Sequence, residues 1–115
     1  MEKFETLKLN KEFRYLYGRG KSEVMPTVVV YARNNNLEYN RLGITSGKKI
    51  GKAVKRNRAR RLIRVAYRNL LPDFCGNYDM VIVARTRTTY SDSNKVTADL
   101  RQCLIKLGVI NERGN

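Results

Sequence analysis

Between Lys48 and Arg68 the chain reads KKIGKAVKRNRARRLIRVAYR, with ten Lys or Arg and no acid among them. The flanking carboxylates lie as far off as Glu38 and Asp73, so nothing nearby in sequence neutralises this charge. Periodicity shows how the charge is displayed. At about 100° per residue, a helix from about Lys52 onward places Ala59, Leu62, Ile63, Ala66 and Leu70 on one apolar stripe. Asn57, Arg61, Arg64 and Arg68 take the same spacing nearly opposite, with Arg56 and Arg60 along the flank. The segment therefore predicts a helix docked by one face and cationic on the other.

A passive solvated face explains this pattern poorly. Such faces interleave Glu with Lys at i, i+4, whereas like charges at that spacing repel. A membrane-surface or calmodulin-target helix is the remaining alternative. The predominance of Arg favours nucleic acid, because a planar guanidinium makes paired hydrogen bonds to phosphate and stacks on bases.

The chain as a whole supports that reading. At 115 residues it fits one domain with a core of its own, taken as residues 1–115 with 109–115 as a frayed tail. A formal charge of +14 implies steering toward a polyanion and salt-dependent affinity. A hydrophobic content of 42% excludes a wholly disordered basic tail. Cys75 and Cys103 are too few and too far apart for a zinc cluster, and there is no His to complete one. They read as small buried hydrophobes or bystander thiols. The amino end has no signal-peptide core and no apolar run approaches membrane-spanning length, so a cytoplasmic, reduced protein without a membrane partner is expected. The missing histidines and scattered carboxylates also argue against a self-sufficient nuclease.

Taken in order, Asn10 is a candidate cap for a short helix over Lys11–Tyr17, closed by Gly18 and Gly20. Phe13 and Tyr17 share one face of it, read either as core or as a base-stacking surface. Val24–Arg33 reads as a strand with Pro26 at its edge or start. Val28 and Val30 fall on its core side, while Thr27, Val29, Tyr31 and Arg33 form a mixed face suited to single-stranded nucleotides, with packing at the core edge an equal reading for Val29 and a lesser one for Tyr31. Asn34–Asn36 marks a turn, and Arg41–Ser46 a returning strand with Leu42 and Ile44 inward. Pro72 ends the basic helix. Tyr78–Thr86 is apolar enough for the sheet's middle, with Arg85 and Arg87 adding charge at its end. Ser93 caps a last helix in which Val96, Leu100, Cys103, Leu104 and Leu107 face the core and Gly108 closes the run. The fold class is α+β: a small mixed sheet of about four strands packed with three helices, in the order α-β-β-(β)-α-β-α.

The string KKIGKAVKRNRARRLIR, preceded by LGIT and followed by MVIVAR, resembles the protein subunit of bacterial ribonuclease P. The family signature, an Arg-Asn pair, a basic pair and a further Arg, is held here by Arg56, Asn57, Arg60, Arg61 and Arg64. The aromatic helix with Phe13 and Tyr17, the strand bearing Tyr31 and the terminal helix also occur in family order, so the resemblance covers essentially the whole chain. It implies a left-handed βαβ crossover, which breaks the usual right-handed rule.

The resemblance also implies a division of labour. The catalytic RNA would carry out the Mg²⁺-dependent cleavage that frees the 5′ leader of precursor tRNA, making the holoenzyme an endoribonuclease and the protein alone inactive. Lys48, Lys49, Lys52, Arg56, Asn57, Arg60, Arg61, Arg64 and Arg68 would bind that RNA. Phe13, Tyr17, Val29 and Tyr31, with Arg85, would hold the single-stranded leader. Tyr17 stands where some relatives have Phe, which keeps the ring and adds a hydroxyl. Mg²⁺ would sit mainly on RNA, with no metal site assigned to the protein and no obligate protein partner. Cations that displace condensed counterions would lower the complex's demand for Mg²⁺. A general RNA-binding or ribosome-associated protein fits the charge equally well and would leave the Arg-Asn motif accidental.

Overall fold

The computed structural model describes residues 4–111. Its regular elements are β1 (Phe4–Thr6), α1 (Asn10–Arg19), β2 (Lys21–Val24), β3 (Val28–Asn34), β4 (Asn40–Thr45), α2 (Ala53–Leu70), β5 (Tyr78–Ala84) and α3 (Ser93–Leu107). Single 3-10 turns occupy Lys48–Ile50, Leu71–Asp73 and Thr86–Tyr90. The strands form one mixed sheet in the order β1-β4-β5-β3-β2. β1, β4 and β5 run parallel, whereas β3 is antiparallel to both β5 and β2. β4 and β5 are neighbours joined through α2, which makes the βαβ unit.

β5 lies at the centre, as its apolar run requires. Alternation turns Met80, Ile82 and Ala84 toward α2 and α3, and Val81 and Val83 toward α1. On the first side they join Val28, Val30, Ala32 and Leu42 under the α2 stripe of Ala59, Ile63, Ala66 and Leu70 and the α3 stripe of Val96, Leu100, Cys103 and Leu104. Leu62 and Leu107, expected inward, are half-buried at the margins. Ile63 has no exposed surface, so truncating it to Ala would cost about 2–5 kcal/mol.

The sheet has five strands where about four were expected. β1 is three residues long, and β2 is set off from β3 by a turn at Met25–Pro26, so Val24–Arg33 is not one strand. Pro26 sits in that turn, which Met25 N closes by donating to Val28 O at 2.9 Å. Thr27, expected on the open face, precedes the strand and is buried. Its N and Oγ1 donate to Asp99 Oδ2 at 3.1 and 2.8 Å.

The helix ends also differ by a residue or more. Leu9, not Asn10, is the N-cap of α1, and Glu12 reaches back to accept from Leu9 N at 3.1 Å. α1 continues through Gly18 to Arg19. Asp92, not Ser93, caps α3 by accepting from Lys95 N at 2.8 Å. The central strand stops at Ala84, so Thr86 already belongs to the following turn.

α3 does end at Gly108, whose φ of 81° suits a residue without Cβ. The chain beyond it is not frayed at once. Val109 and Ile110 are buried, their amides donate to Leu104 O, and Ile110 pairs with Phe74. Residues 112–115 of the expected tail lie outside the described residues.

Tyr67 is the core residue that the helical stripe did not include. It is fully buried, with edge-on contacts to Phe4 at 4.9 Å and Phe74 at 5.5 Å between ring centroids. Burial pushes its hydroxyl pKa well above the ordinary tyrosine range. Cys103 is buried in the same core, with its thiol pushed up to about 12 by burial, whereas Cys75 is exposed.

Candidate nucleic-acid interface

α2 and the turn before it present a row of exposed cations. Lys52, Asn57, Arg60, Arg61 and Arg68 are exposed along it, and Lys48 and Lys49 are exposed on the turn that leads in. Arg56 and Arg64 are half-buried. Arg56, Arg60, Arg61 and Arg64 form no ion pair among the described residues. No acid occupies the first turn of α2, where the helix dipole already carries partial positive charge. Side chains and backbone together make this end of α2 attractive to phosphate.

The cationic surface is not simply opposite the docked stripe. Arg60 and Arg64 border a recess of about 200 Å³ with Phe4, Leu7, Phe13 and Ile44. Phe4 belongs to the core cluster on the α2 side and Leu7 to the cluster on the α1 side, so the recess wraps round the short β1 edge. Arg64, placed with Arg61 and Arg68 by periodicity, therefore turns toward the sheet edge.

The other sheet face carries the second surface. Cross-strand pairing sets its side chains in rows: Arg41–Asp79–Arg33, then Gly43–Val81–Tyr31–Ser22, then Thr45–Val83–Val29–Val24. α1 packs over this face through Leu16 against Val81. Asn10, Phe13, Arg14 and Tyr17, at i, i+3, i+4 and i+7, line a recess of about 470 Å³ with Thr45. Tyr17 meets Tyr31 edge-on, centroids 4.8 Å apart. Phe13 lies against Gly43, where an added Cβ would sit only 2.6 Å from Phe13 Cζ. Phe13 is thus a wall common to both recesses.

A charged clasp holds α1 in place. Arg41 Nη1 donates to Glu12 Oε2 at 2.9 Å, while its Nε and Nη2 donate to the two Asp79 oxygens at 2.8 and 2.6 Å. Asn35 Nδ2 adds a bond to Asp79 Oδ1 at 2.9 Å. The Glu12 carboxyl is held below its ordinary range mainly by the Leu9 backbone N–H, with Arg41 helping. Burial alone would raise Asp79, but the hydrogen bonds from Arg41 and Asn35 outweigh it and hold the group low. Asp79 in turn lifts the Arg41 pKa further.

A cationic helix face beside an aromatic recess is the combination that the resemblance implied. The family model described as Ribonuclease P matches residues 1–108. The chain belongs to the ribonuclease P family. It is 42% identical over 106 residues to the ribonuclease P protein component of Clostridium botulinum (strain Loch Maree / Type A3), covering 91% of this chain and 96% of the relative. The fold is similar to that of the Staphylococcus aureus RNase P protein, with a TM-score of 0.80 and 30% identity over 92% of this chain and 97% of that one. The Thermotoga maritima RNase P protein gives 0.75 and 30%, over 85% and 93% of the two chains.

On this ribonuclease P fold, Phe13, Tyr17, Val29 and Tyr31 do share one face. Arg85 does not line the recess at Phe13 and Tyr17. It lies beyond the Val83–Val29 row, where its Nη1 donates to Met25 O at 2.9 Å. It borders an open pocket of about 480 Å³ with Val24, Pro26 and Arg87. Sequence reasoning missed Asn10, Arg14 and Thr45 as lining residues. The helical spacing of the first two with Phe13 and Tyr17 was a signal available for finding them. Gly43 and Arg41 were also missed, and their importance depends on residues from other elements.

Proposed function

We propose that this chain works as the protein subunit of ribonuclease P in tRNA 5′ processing, gripping the catalytic RNA with α2 and the precursor's leader with the recess under α1. Phosphates of the RNA lie along Lys48, Lys49, Lys52, Arg56, Arg60, Arg61, Arg64 and Arg68, with Asn57 between them as a neutral donor. Leader bases stack in sequence-tolerant fashion on Phe13, Tyr17 and Tyr31, with Val29 as apolar floor and Arg85 meeting phosphate at the far end. Mature tRNA lacks the leader and so loses those contacts, which favours product release.

The observation that carries this reading is the shared wall. Phe13 touches the aromatic recess on one side and the recess of Arg60 and Arg64 on the other. One protein can thereby hold a folded RNA and a single strand side by side.

Cleavage itself belongs to the RNA subunit. The chain has no histidine, and Glu12 and Asp79, brought close by the fold, are bridged by Arg41. Among the described residues no cluster of three or more His, Cys, Asp or Glu is placed to hold a metal ion. We assign Mg²⁺ mainly to the RNA. No helix among the described residues is long and apolar enough to cross a membrane. RNA partners place the work of the protein in the cytoplasm.

Reconstitution tests the proposal. The purified chain alone should leave a labelled precursor tRNA intact, and addition of ribonuclease P RNA at limiting Mg²⁺ should give cleavage faster than the RNA alone. Cleavage by the protein alone, or no acceleration on mixing, would remove it.

A further inference from the structure

Tyr90 is the most conspicuous side chain that neither surface uses. It is 74% exposed, and Val54, in the first turn of α2, is 80% exposed. Neither contributes to the core, yet the backbone that presents Tyr90 is firmly built. Thr88 is fully buried, its Oγ1 donating to Thr27 O and accepting from Arg85 N. Thr89 Oγ1 donates to Thr86 O, and Ser91 Oγ to Arg87 O. From α2, Arg58 clamps the turn by donating to Thr89 O and Ser91 O, both at 3.2 Å. A ring held outward on so rigid a mount is preorganised for something outside the chain.

The surroundings specify what. Lys55 Nζ lies 5.6 Å from the centre of the Tyr90 ring and 3.5 Å from its hydroxyl. Lys52 and Arg87 are exposed close by in sequence to Lys55 and Tyr90, and the Lys48–Ile50 turn packs beside the Thr86–Tyr90 turn. The acid near in sequence, Asp92, is engaged as the α3 cap. An aromatic face with an ammonium beside it and further cations around it complements an unpaired nucleotide, with base on ring and phosphate on cation. An apolar protein partner would have to desolvate those cations.

We propose that Tyr90, with Lys55 and Val54, is a stacking platform for an unpaired base of the catalytic RNA, carrying the α2 interface round the helix's amino end. The assignment to that RNA rests on the function proposed above, which gives α2 to it. Neither Tyr90 nor Lys55 lines the recess of Phe13 and Tyr17, so the leader has a separate seat.

Titrating the full chain and its variants with Clostridium botulinum ribonuclease P RNA across a salt series tests the platform. Tyr90→Ala should weaken binding by roughly tenfold, with the salt slope unchanged because a ring releases no counterions. Tyr90→Phe should bind within about twofold of the parent, since the stacking face is kept. Thermal unfolding of both should match the parent, as the side chain lies outside the core. Tyr90→Ala binding as tightly as the parent would overturn the inference. So would a loss confined to precursor tRNA binding by the assembled holoenzyme, because the platform would then belong to the substrate. Arg60→Ala/Arg61→Ala, run alongside, separates two failures. Weakened binding there with an unaffected Tyr90→Ala sinks only the platform, whereas no change in the arginine variant removes the α2 reading and the platform with it.

Discussion

Arg41 and Arg61 carry the same guanidinium in opposite circumstances. Arg41 meets three carboxylate oxygens and, with its side chain 26% exposed, ties α1 to the sheet. Arg61 and its neighbours Arg56, Arg60 and Arg64 meet no carboxylate among the described residues and repel one another along α2. The first arrangement stabilises the fold. The second weakens its own helix by tenths of a kcal/mol per pair, offset by the buried stripe beneath. A chain with enough acids to quench α2 would have done so if stability were the only demand. Pairing thus separates arginines that build the molecule from those that the proposed function gives to RNA.

The largest effect that tests this contrast is expected from Arg41→Ala. It strands Glu12 and Asp79 in a half-buried setting, and should cost roughly 2–3 kcal/mol, between the values for exposed and buried pairs. Urea unfolding would read it directly. The same clasp should appear as pH dependence. Both carboxyls titrate below their ordinary 4.5 and 3.8 in the folded chain, so the unfolded state binds more protons in that window and stability rises with pH across it. The contribution should be complete above about pH 5 and fade as pH falls through the depressed values, with a shallower acid slope in Arg41→Ala.

Next in size is Arg60→Ala/Arg61→Ala. Unfolding stability should stay within about 0.5 kcal/mol of the parent. Affinity for ribonuclease P RNA should fall by about 2 kcal/mol, roughly thirtyfold, and the log–log salt slope should flatten by about two units if each arginine neutralises one phosphate. A stability loss as large as that of Arg41→Ala would erase the contrast between the two sets.

The smallest effect sharpens it from the uncharged side. Tyr31→Ala should lower holoenzyme affinity for precursor tRNA by roughly tenfold, with mature tRNA and the salt slope unaffected. Tyr17→Ala should move affinity in the same direction with less effect on stability, because Tyr17 is the more exposed ring. Equal losses for precursor and mature tRNA would take the recess out of leader binding.

What could be read from the sequence follows burial. α2, α3 and β5 each press a face into the core, so their periodicity is strong and their extents were legible to within a few residues. β1 and β2 are short and largely exposed, and three or four residues without alternation carry no signal. Cap choice failed for a local reason. Asp92 and Ser93 are both good caps and only backbone geometry selects between them, while Glu12 serves α1 from inside the helix. Of the candidate site, Phe13, Tyr17, Val29 and Tyr31 were legible because period 3.6 and period 2 each place two of them together. Arg41 was not, because its partners lie 29 and 38 residues away and only the fold brings them in. Tyr67 escaped because a polar tip disguises a ring that the core has swallowed whole.

Gly43 has a consequence for anyone altering this protein. Room for the Phe13 ring is left there by a hydrogen atom, in a strand where every other facing position carries a side chain. Even a single methyl group would push the phenyl ring of Phe13 out of its seat. The wall shared by the two recesses would then shift while every residue along their rims stayed the same.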